Sequence, residues 1–146
     1  MNRSAAFSIV YGSRLGLMGR NIRRRTIRHY LGRGFATMAS MLLRLPVYDT
    51  QCGAKLFKAE LAPVLFGKPF ITRWFFDVEM LFRLLRGYGR DQAKSMIAES
   101  PLYEWVEKKG SKLKVFDFIK VPFQLLRIYF YYRKFKQLPG PDVKVQ

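Results

Sequence analysis

Asp49-Thr50-Gln51-Cys52-Gly53-Ala54-Lys55-Leu56-Phe57 is the stretch on which the reading of this 146-residue chain turns. It sets an acid, an amide, a thiol, a glycine and a lysine within seven residues and follows them with an apolar pair. Polar groups taken out of water cost free energy unless each finds a partner, so ordinary core strands are not built this way. The pattern reads as a polar turn feeding a short strand, which is how a site is carried at the end of a sheet.

Upstream, residues 22–45 place Ile27, Leu31, Phe35, Met38, Leu42 and Leu45 at three- and four-residue spacing, a helical stripe that Pro46 ends. Gly32 and Gly34 are positions for a kink or a split. Arg20, Arg24 and Arg28 fall on an i, i+4 row and would share one face. Further back, residues 6–11 are β-prone and end at Gly12-Ser13-Arg14, a strand delivering an arginine into a turn. Gly16, Gly19 and Asn21 mark a loop.

Downstream, residues 59–66 read as a short helix stopped by Gly67, Lys68 and Pro69. Residues 77–85 form the clearest helix, with Val78, Leu81, Phe82 and Leu85 buried and Gly87 and Gly89 as stop signals. Residues 95–98 and 102–106 are strand candidates parted by Pro101, and Gly110-Ser111-Lys112 is a turn. Residues 113–136 mix Phe, Tyr and Leu with Lys and Arg. Their longest uncharged run, residues 121–126, is far short of the roughly 18–20 residues a membrane span needs. An interfacial amphipathic helix broken near Pro122 fits, the alternative being an ordinary helix buried on a sister domain. The tail after Leu138 is expected to be loose.

Composition bounds the rest. With 49% hydrophobic and 16% aromatic residues the chain is not a disordered one, and its length allows one domain with a real core. Cys52, the single cysteine, cannot form an intramolecular disulfide, and a reducing compartment is expected. No secretory signal peptide is expected after Met1. The net charge of +17 is uneven: nine arginines and no acid before residue 49, eight bases against eight acids over residues 49–107, then nine bases against Asp117 over residues 108–136. Two basic flanks around a neutral middle imply a polyanionic partner: phosphate groups, nucleic acid or an anionic membrane surface.

Taken together, Gly12-Ser13-Arg14, the arginine-rich helix, the run Asp49 to Phe57, the run Arg73-Trp74-Phe75-Phe76-Asp77-Val78-Glu79-Met80-Leu81, Trp105 and Gly110-Ser111-Lys112 resemble the C-terminal half of family 2 glycosyltransferases. The similarity is to the dolichyl-phosphate β-glucosyltransferases and related polyprenyl-phosphate glycosyltransferases, from about residue 8 to residue 115. Ala54 departs from the family, which usually has Phe there. The resemblance implies an α/β fold, the C-terminal portion of a GT-A-type glycosyltransferase with a C-terminal amphipathic helical segment. Its parts would be an acceptor-side half over residues 1–112, a membrane-interfacial segment over 113–138 and a tail over 139–146. It implies transfer of a hexose from a nucleotide sugar to a polyprenyl phosphate at the cytoplasmic face of a membrane, as a peripheral protein.

The family's Asp-x-Asp, which holds a divalent metal on the sugar nucleotide, occurs nowhere in the 146 residues. Asp77-Val78-Glu79 comes nearest, but residues two apart on a helix point about 200° away from each other. The expectation is therefore half an enzyme, inactive alone. Mg2+ or Mn2+ and the nucleotide sugar would be bound only with the missing N-terminal half, and this chain alone would hold no cofactor.

The site residues the resemblance implies are Asp49, Gln51 and Asp77 for catalysis, Arg14, Arg24, Arg28 and Lys55 for the acceptor phosphate, and Glu79 and Trp105 for the sugar pocket, with no metal ligand. A phosphate is already ionised near neutral pH, so it needs cationic positioning more than a strong base, and arginine suits this through bidentate contact. Plainer roles stand beside these. The arginines could be a solvated basic face; Asp49 could cap its turn and Asp77 its helix. Lys55 could orient Asp49, meet a phosphate or lie on a surface strand. Glu79 could pair with Arg73, and Trp105 could fill the core. Cys52 reads as a small packed side chain, Gly53 as a residue whose backbone conformation or close approach excludes a Cβ, and His29 as exposed. Two rival functions remain: a basic nucleic-acid-binding module, disfavoured because the neutral middle has no role in it, and a peripheral membrane protein without chemistry.

Overall fold

The computed structural model describes residues 7–23, 26–106 and 119–134. Arg24, the turn at Gly110-Ser111-Lys112 and the tail after Leu138 lie outside the described residues. The fold is mixed α/β. In chain order it runs β1 (Ile9–Ser13), β2 (Asn21–Arg23), α1 (Thr26–Leu43), β3 (Lys55–Phe57), a 3-10 turn (Ala59–Leu61) and α2 (Ala62–Phe66). There follow α3 (Phe76–Tyr88), α4 (Arg90–Met96), β4 (Ile97–Pro101), β5 (Glu104–Val106) and α5 (Val121–Arg133).

β1 lies in the middle of a three-stranded sheet, antiparallel to β3 and parallel to β4, with Tyr11 opposite Lys55 and Glu99. β2 and β5 pair in parallel as a separate two-stranded ribbon. Ser13 accepts the Leu102 N–H and Tyr103 accepts the Asn21 N–H, so the two pairings are successive lengths of the same chain-to-chain contact. The loop between β1 and β2 interrupts it, and Arg14 sits there.

α3 is the centre of the molecule. Every residue from Asp77 to Arg83, and Leu84 beyond, is buried, so the helix is enclosed on all sides rather than along the one stripe that periodicity suggests. It packs with α2, α4, α5 and α1. Phe35, Ala39 and Leu43 of α1, Leu61 and Leu65 around α2, and Leu125 and Ile128 of α5 complete the core. Because residues 77–84 are out of water, each polar residue among them has to be partnered or serve a site.

Several sequence expectations change. Asn21–Arg23 is a strand, so Arg20 precedes it in the loop and shares no helical face with Arg28; its guanidinium lies 3.7 Å from the Tyr103 ring. α1 runs unbroken through Gly32 and Gly34, and it stops at Leu43 because Arg44 turns left-handed at φ 50°. Arg90 then donates to the exposed carbonyls of Leu43 and Arg44 at 2.9 and 3.0 Å. Residues 90–96 are helical, so the first of the two strands expected around Pro101 starts at Ile97 and ends on Pro101, and the second runs from Glu104 to Val106. Pro122 sits in the first turn of α5, where a missing N–H costs nothing, and the part of the expected segment before residue 119 lies outside the described residues. No described helix is long and apolar enough to cross a membrane.

Candidate functional site

The end of β1, the Asp49 to Lys55 turn and the start of α3 converge on two ion pairs. Arg14 grips Asp49 with both ends of its guanidinium, Nε to Oδ2 at 2.7 Å and Nη2 to Oδ1 at 2.8 Å, and adds its own backbone N–H at 3.2 Å. This fork-to-carboxylate contact fixes both groups in orientation as well as in distance. The Arg14 guanidinium also lies 5.3 Å from the Trp105 ring. Asp49 is thus held by the arginine, whose backbone N–H it also accepts.

Glu99 on β4 does what a capping aspartate was expected to do. Its carboxylate accepts the N–H of Tyr48 and that of Asp49, each at 2.9 Å, and so sets the backbone that aims Asp49 at Arg14. The only sequence signal for this residue is an acid inside an otherwise short apolar strand.

Lys55, opposite Tyr11 on β3, reaches Asp77 rather than Asp49: Nζ lies 2.9 Å from Asp77 Oδ1 and also donates to the Cys52 carbonyl. Its charge sits 5.3 Å from the Tyr11 ring. Burial pushes the Asp77 carboxyl above its usual value, against the lowering pull of Lys55 and Arg14, while Asp49 adds to the rise. The two pairs therefore belong to one electrostatic unit, neutral in sum. Gln51 ties the turn to the α3 approach by donating to the Trp74 carbonyl at 3.3 Å. Cys52 is fully buried, and burial raises its thiol, which keeps it protonated.

Polar satisfaction is poor around these pairs. Among the described residues, five buried side-chain atoms lack a hydrogen-bond partner, and four of them are Tyr11 Oη, Ser13 Oγ, Thr50 Oγ1 and Asp77 Oδ1. Asp77 Oδ1 is held by the Lys55 ammonium at 2.9 Å, which leaves the hydroxyls of Tyr11, Ser13 and Thr50. Tyr11 and Ser13 are two apart on β1 and face the same side of the sheet. Buried polar atoms without a partner are uncommon, and these three hydroxyls lie on β1 and in the Asp49 turn.

Glycine needs are also relocated. A Cβ on Gly53 would meet only the Trp105 ring at 3.9 Å, an ordinary contact, so neither conformation nor crowding demands glycine there. Of these two, Gly12 is the constrained one: a Cβ would come within 2.9 Å of the Ala54 Cβ and 3.1 Å of both the Ala54 carbonyl oxygen and Leu102.

Glu79 stands apart from this cluster. It is fully buried, and its oxygens accept the N–H groups of Ile71 and Thr72, the Thr72 hydroxyl and the Tyr132 hydroxyl. The expected pairing with Arg73 is replaced by these contacts, and the carboxylate has no oxygen to offer a sugar pocket. Arg83, one turn further, donates to the Leu65, Lys68 and Pro69 carbonyls and to the Tyr132 hydroxyl. Arg28 lies in the first turn of α1.

These contacts decide whether a divalent metal fits. Asp49 is filled by Arg14, Asp77 is matched to Lys55 and Glu79 is turned to another part of the molecule, so these carboxylates do not form a cation site. Among the described residues no group of three or more His, Cys, Asp or Glu side chains could hold a metal ion.

Comparison with known proteins adds kinship. The chain is 38% identical over 128 residues to a dolichyl-phosphate beta-glucosyltransferase of Trichomonas vaginalis, covering 86% of this chain and 36% of the relative. It is 37% identical over 127 residues to the Dictyostelium discoideum enzyme of that name, covering 85% and 37%, and 38% identical over 110 residues to the human one, covering 75% and 32%. The chain thus spans about a third of the length of the curated relatives it matches. No family model matches, and no solved structure does.

Proposed function

We propose, from this homology to part of the dolichyl-phosphate β-glucosyltransferases, that the chain forms the acceptor-side half of a polyprenyl-phosphate hexosyltransferase of GT-A type. The observation that carries the proposal is the convergence of Arg14, Asp49, Lys55 and Asp77, from three of the stretches that carry the resemblance, beside the buried hydroxyls of Tyr11, Ser13 and Thr50. In the reaction proposed, an oxygen of the lipid phosphate attacks the anomeric carbon of the sugar nucleotide with inversion. Arg14 and Lys55 supply the positive charge that positions the phosphate, with Arg24 and Arg28 as further phosphate contacts that the family resemblance implies. Asp49 and Asp77 hold the two cations in place, Asp77 with a raised carboxyl that can also take up a proton. Gln51 steadies the turn, and Trp105, beside Arg14, lines the sugar side.

The nucleotide sugar and a divalent ion belong in this proposal to a half carrying the Asp-x-Asp that this sequence lacks, so the chain alone does not transfer sugar. Robust turnover by the isolated chain would contradict that. The protein is placed peripherally at the cytoplasmic face of a membrane. α5 supports this, because it buries Val121, Leu125, Ile128 and Tyr132 while Phe123 and Phe130 stay exposed beside Lys120, Arg127, Arg133 and Lys134. Binding of a short-chain polyprenyl phosphate such as geranyl phosphate tests the central step. Arg14→Gln and Lys55→Gln are each expected to weaken it about tenfold, the loss of one charge-assisted contact. Unchanged affinity in both would overturn the proposal.

A further inference from the structure

On the far side of Lys55 and Asp77 the surface carries a row of aromatic rings that the site does not use. Phe57, at the end of β3, meets Phe66, at the end of α2, with ring centres 5.2 Å apart. Phe66 meets Phe70 at 6.1 Å, and Phe70 meets Phe76, the first residue of α3, at 5.7 Å. Phe57, Phe66 and Phe76 are 40%, 42% and 40% exposed, and Trp74, two residues before Phe76, is 45% exposed. Single exposed apolar residues need no explanation, but contiguous aromatic ones mark a contact surface. The row is firmly mounted: the buried guanidinium of Arg83 lies 4.2 Å from the Phe70 ring, beneath it.

We propose that this row is a second contact with an anionic bilayer, separate from α5. Charge argues for lipid as the occupant. The exposed charged side chains set among and beside the rings are Lys58, Lys68 and Arg73 against Glu60, in a chain of net charge +17. Aromatic rings with a basic rim suit the headgroup layer, where rings sit at the apolar boundary and cations meet lipid phosphate. Position argues the same way. The row begins next to Asp77 and ends two residues beyond Lys55, so rings resting on the bilayer bring the Lys55–Asp77 pair to headgroup depth. A lipid phosphate would then reach Lys55 without leaving the membrane surface. This inference rests on the membrane reading given above and adds to it a face that α5 does not supply.

The test uses the full chain and vesicles of phosphatidylcholine containing roughly a third phosphatidylglycerol. Trp105→Phe leaves Trp74 as the sole tryptophan, and Trp74→Phe leaves Trp105. With brominated lipids, quenching of Trp74 is expected to exceed that of Trp105 at least about twofold, because only Trp74 flanks the row. Phe57→Ser combined with Phe66→Ser is expected to lower vesicle binding about tenfold. Equal quenching of the two tryptophans in vesicle-bound protein would overturn the proposal. So would binding that is lost with Phe123→Ser and Phe130→Ser but untouched by the Phe57 and Phe66 changes; the membrane reading based on α5 would then stand. Failure of the wild-type chain to bind vesicles at all would overturn both. A dimer that the Phe57 and Phe66 changes dissolve would assign the row to a second copy of the chain and overturn it as well.

Discussion

α3 carries buried charge on two sides, and the two sides are treated differently. Around Glu79 and Arg83 the polar groups are saturated: two backbone N–H groups, a threonine hydroxyl, three carbonyls and Tyr132 close the network. Around Asp77 the charges are paired, yet the hydroxyls of Tyr11, Ser13 and Thr50 are left without hydrogen bonds. A satisfied buried network gives rigidity and a defined arrangement; an unsatisfied one beside fixed charges is poised for a partner from outside. The helix therefore holds the molecule together with one face and presents the site with the other.

The largest expected effect breaks the saturated side. Arg83→Ala removes four donated hydrogen bonds and leaves Glu79 as a buried charge with less compensation. A loss of about 3–5 kcal/mol in urea denaturation is expected, as for breaking a buried ion network. A cost below about 1 kcal/mol would show that the side is not a closed network.

A matched pair of hydroxyl deletions sharpens the contrast. Tyr132 accepts from Arg83 at 2.9 Å and donates to Glu79 at 3.0 Å, and burial pushes its hydroxyl up to about 12, so it keeps its proton. Tyr132→Phe should cost about 1.5–3 kcal/mol, the range for hydrogen bonds to charged groups. Tyr11, fully buried with its hydroxyl unpartnered and raised by burial and by the Asp77 charge, should tolerate Tyr11→Phe within about 0.5 kcal/mol or gain stability. Equal costs for the two would erase the difference between the sides.

The smallest effect is a pH dependence. Because burial raises the Asp77 carboxyl, the folded chain binds its proton more tightly than the unfolded chain does. The stability contributed by that proton is present below the ordinary carboxyl range and is lost as pH rises through the raised value. Relative to Asp77→Asn, the wild type should lose stability on going up from about pH 4, at no more than about 1.4 kcal/mol per pH unit. A difference that is flat or opposite in slope would mean that Lys55 outweighs burial.

How much of this was legible depends on the range of the contacts. β1, α1 and α3 were readable because spacing and turn residues are local, and the pairing of the Asp49 turn with the Asp77 helix was implied by the family motifs. Helix α4 was hidden because Arg90-Asp91-Gln92-Ala93-Lys94-Ser95-Met96 has no apolar stripe. Its burial rests on Ala93 and Met96 alone. Glu79 shares a motif with Asp77, yet two positions along a helix give it a different set of partners. Glu99 was missed for the converse reason: it lies 50 residues from Asp49 in sequence, and only the parallel pairing of β1 with β4 brings it near. Arg83 in the run Leu81-Phe82-Arg83-Leu84-Leu85 is a buried cation with a local signal, a charge inside an apolar stripe four residues from an acid.

Titration of the isotopically labelled chain with geranyl phosphate, followed residue by residue by NMR, tests the assignment of the two sides most directly. The account predicts shifts at Tyr11, Arg14, Asp49 to Lys55 and Asp77, with Thr72, Glu79, Arg83 and Tyr132 unmoved. Shifts centred on the Glu79–Arg83 side, or none at the Asp77 side at saturating ligand, would contradict it.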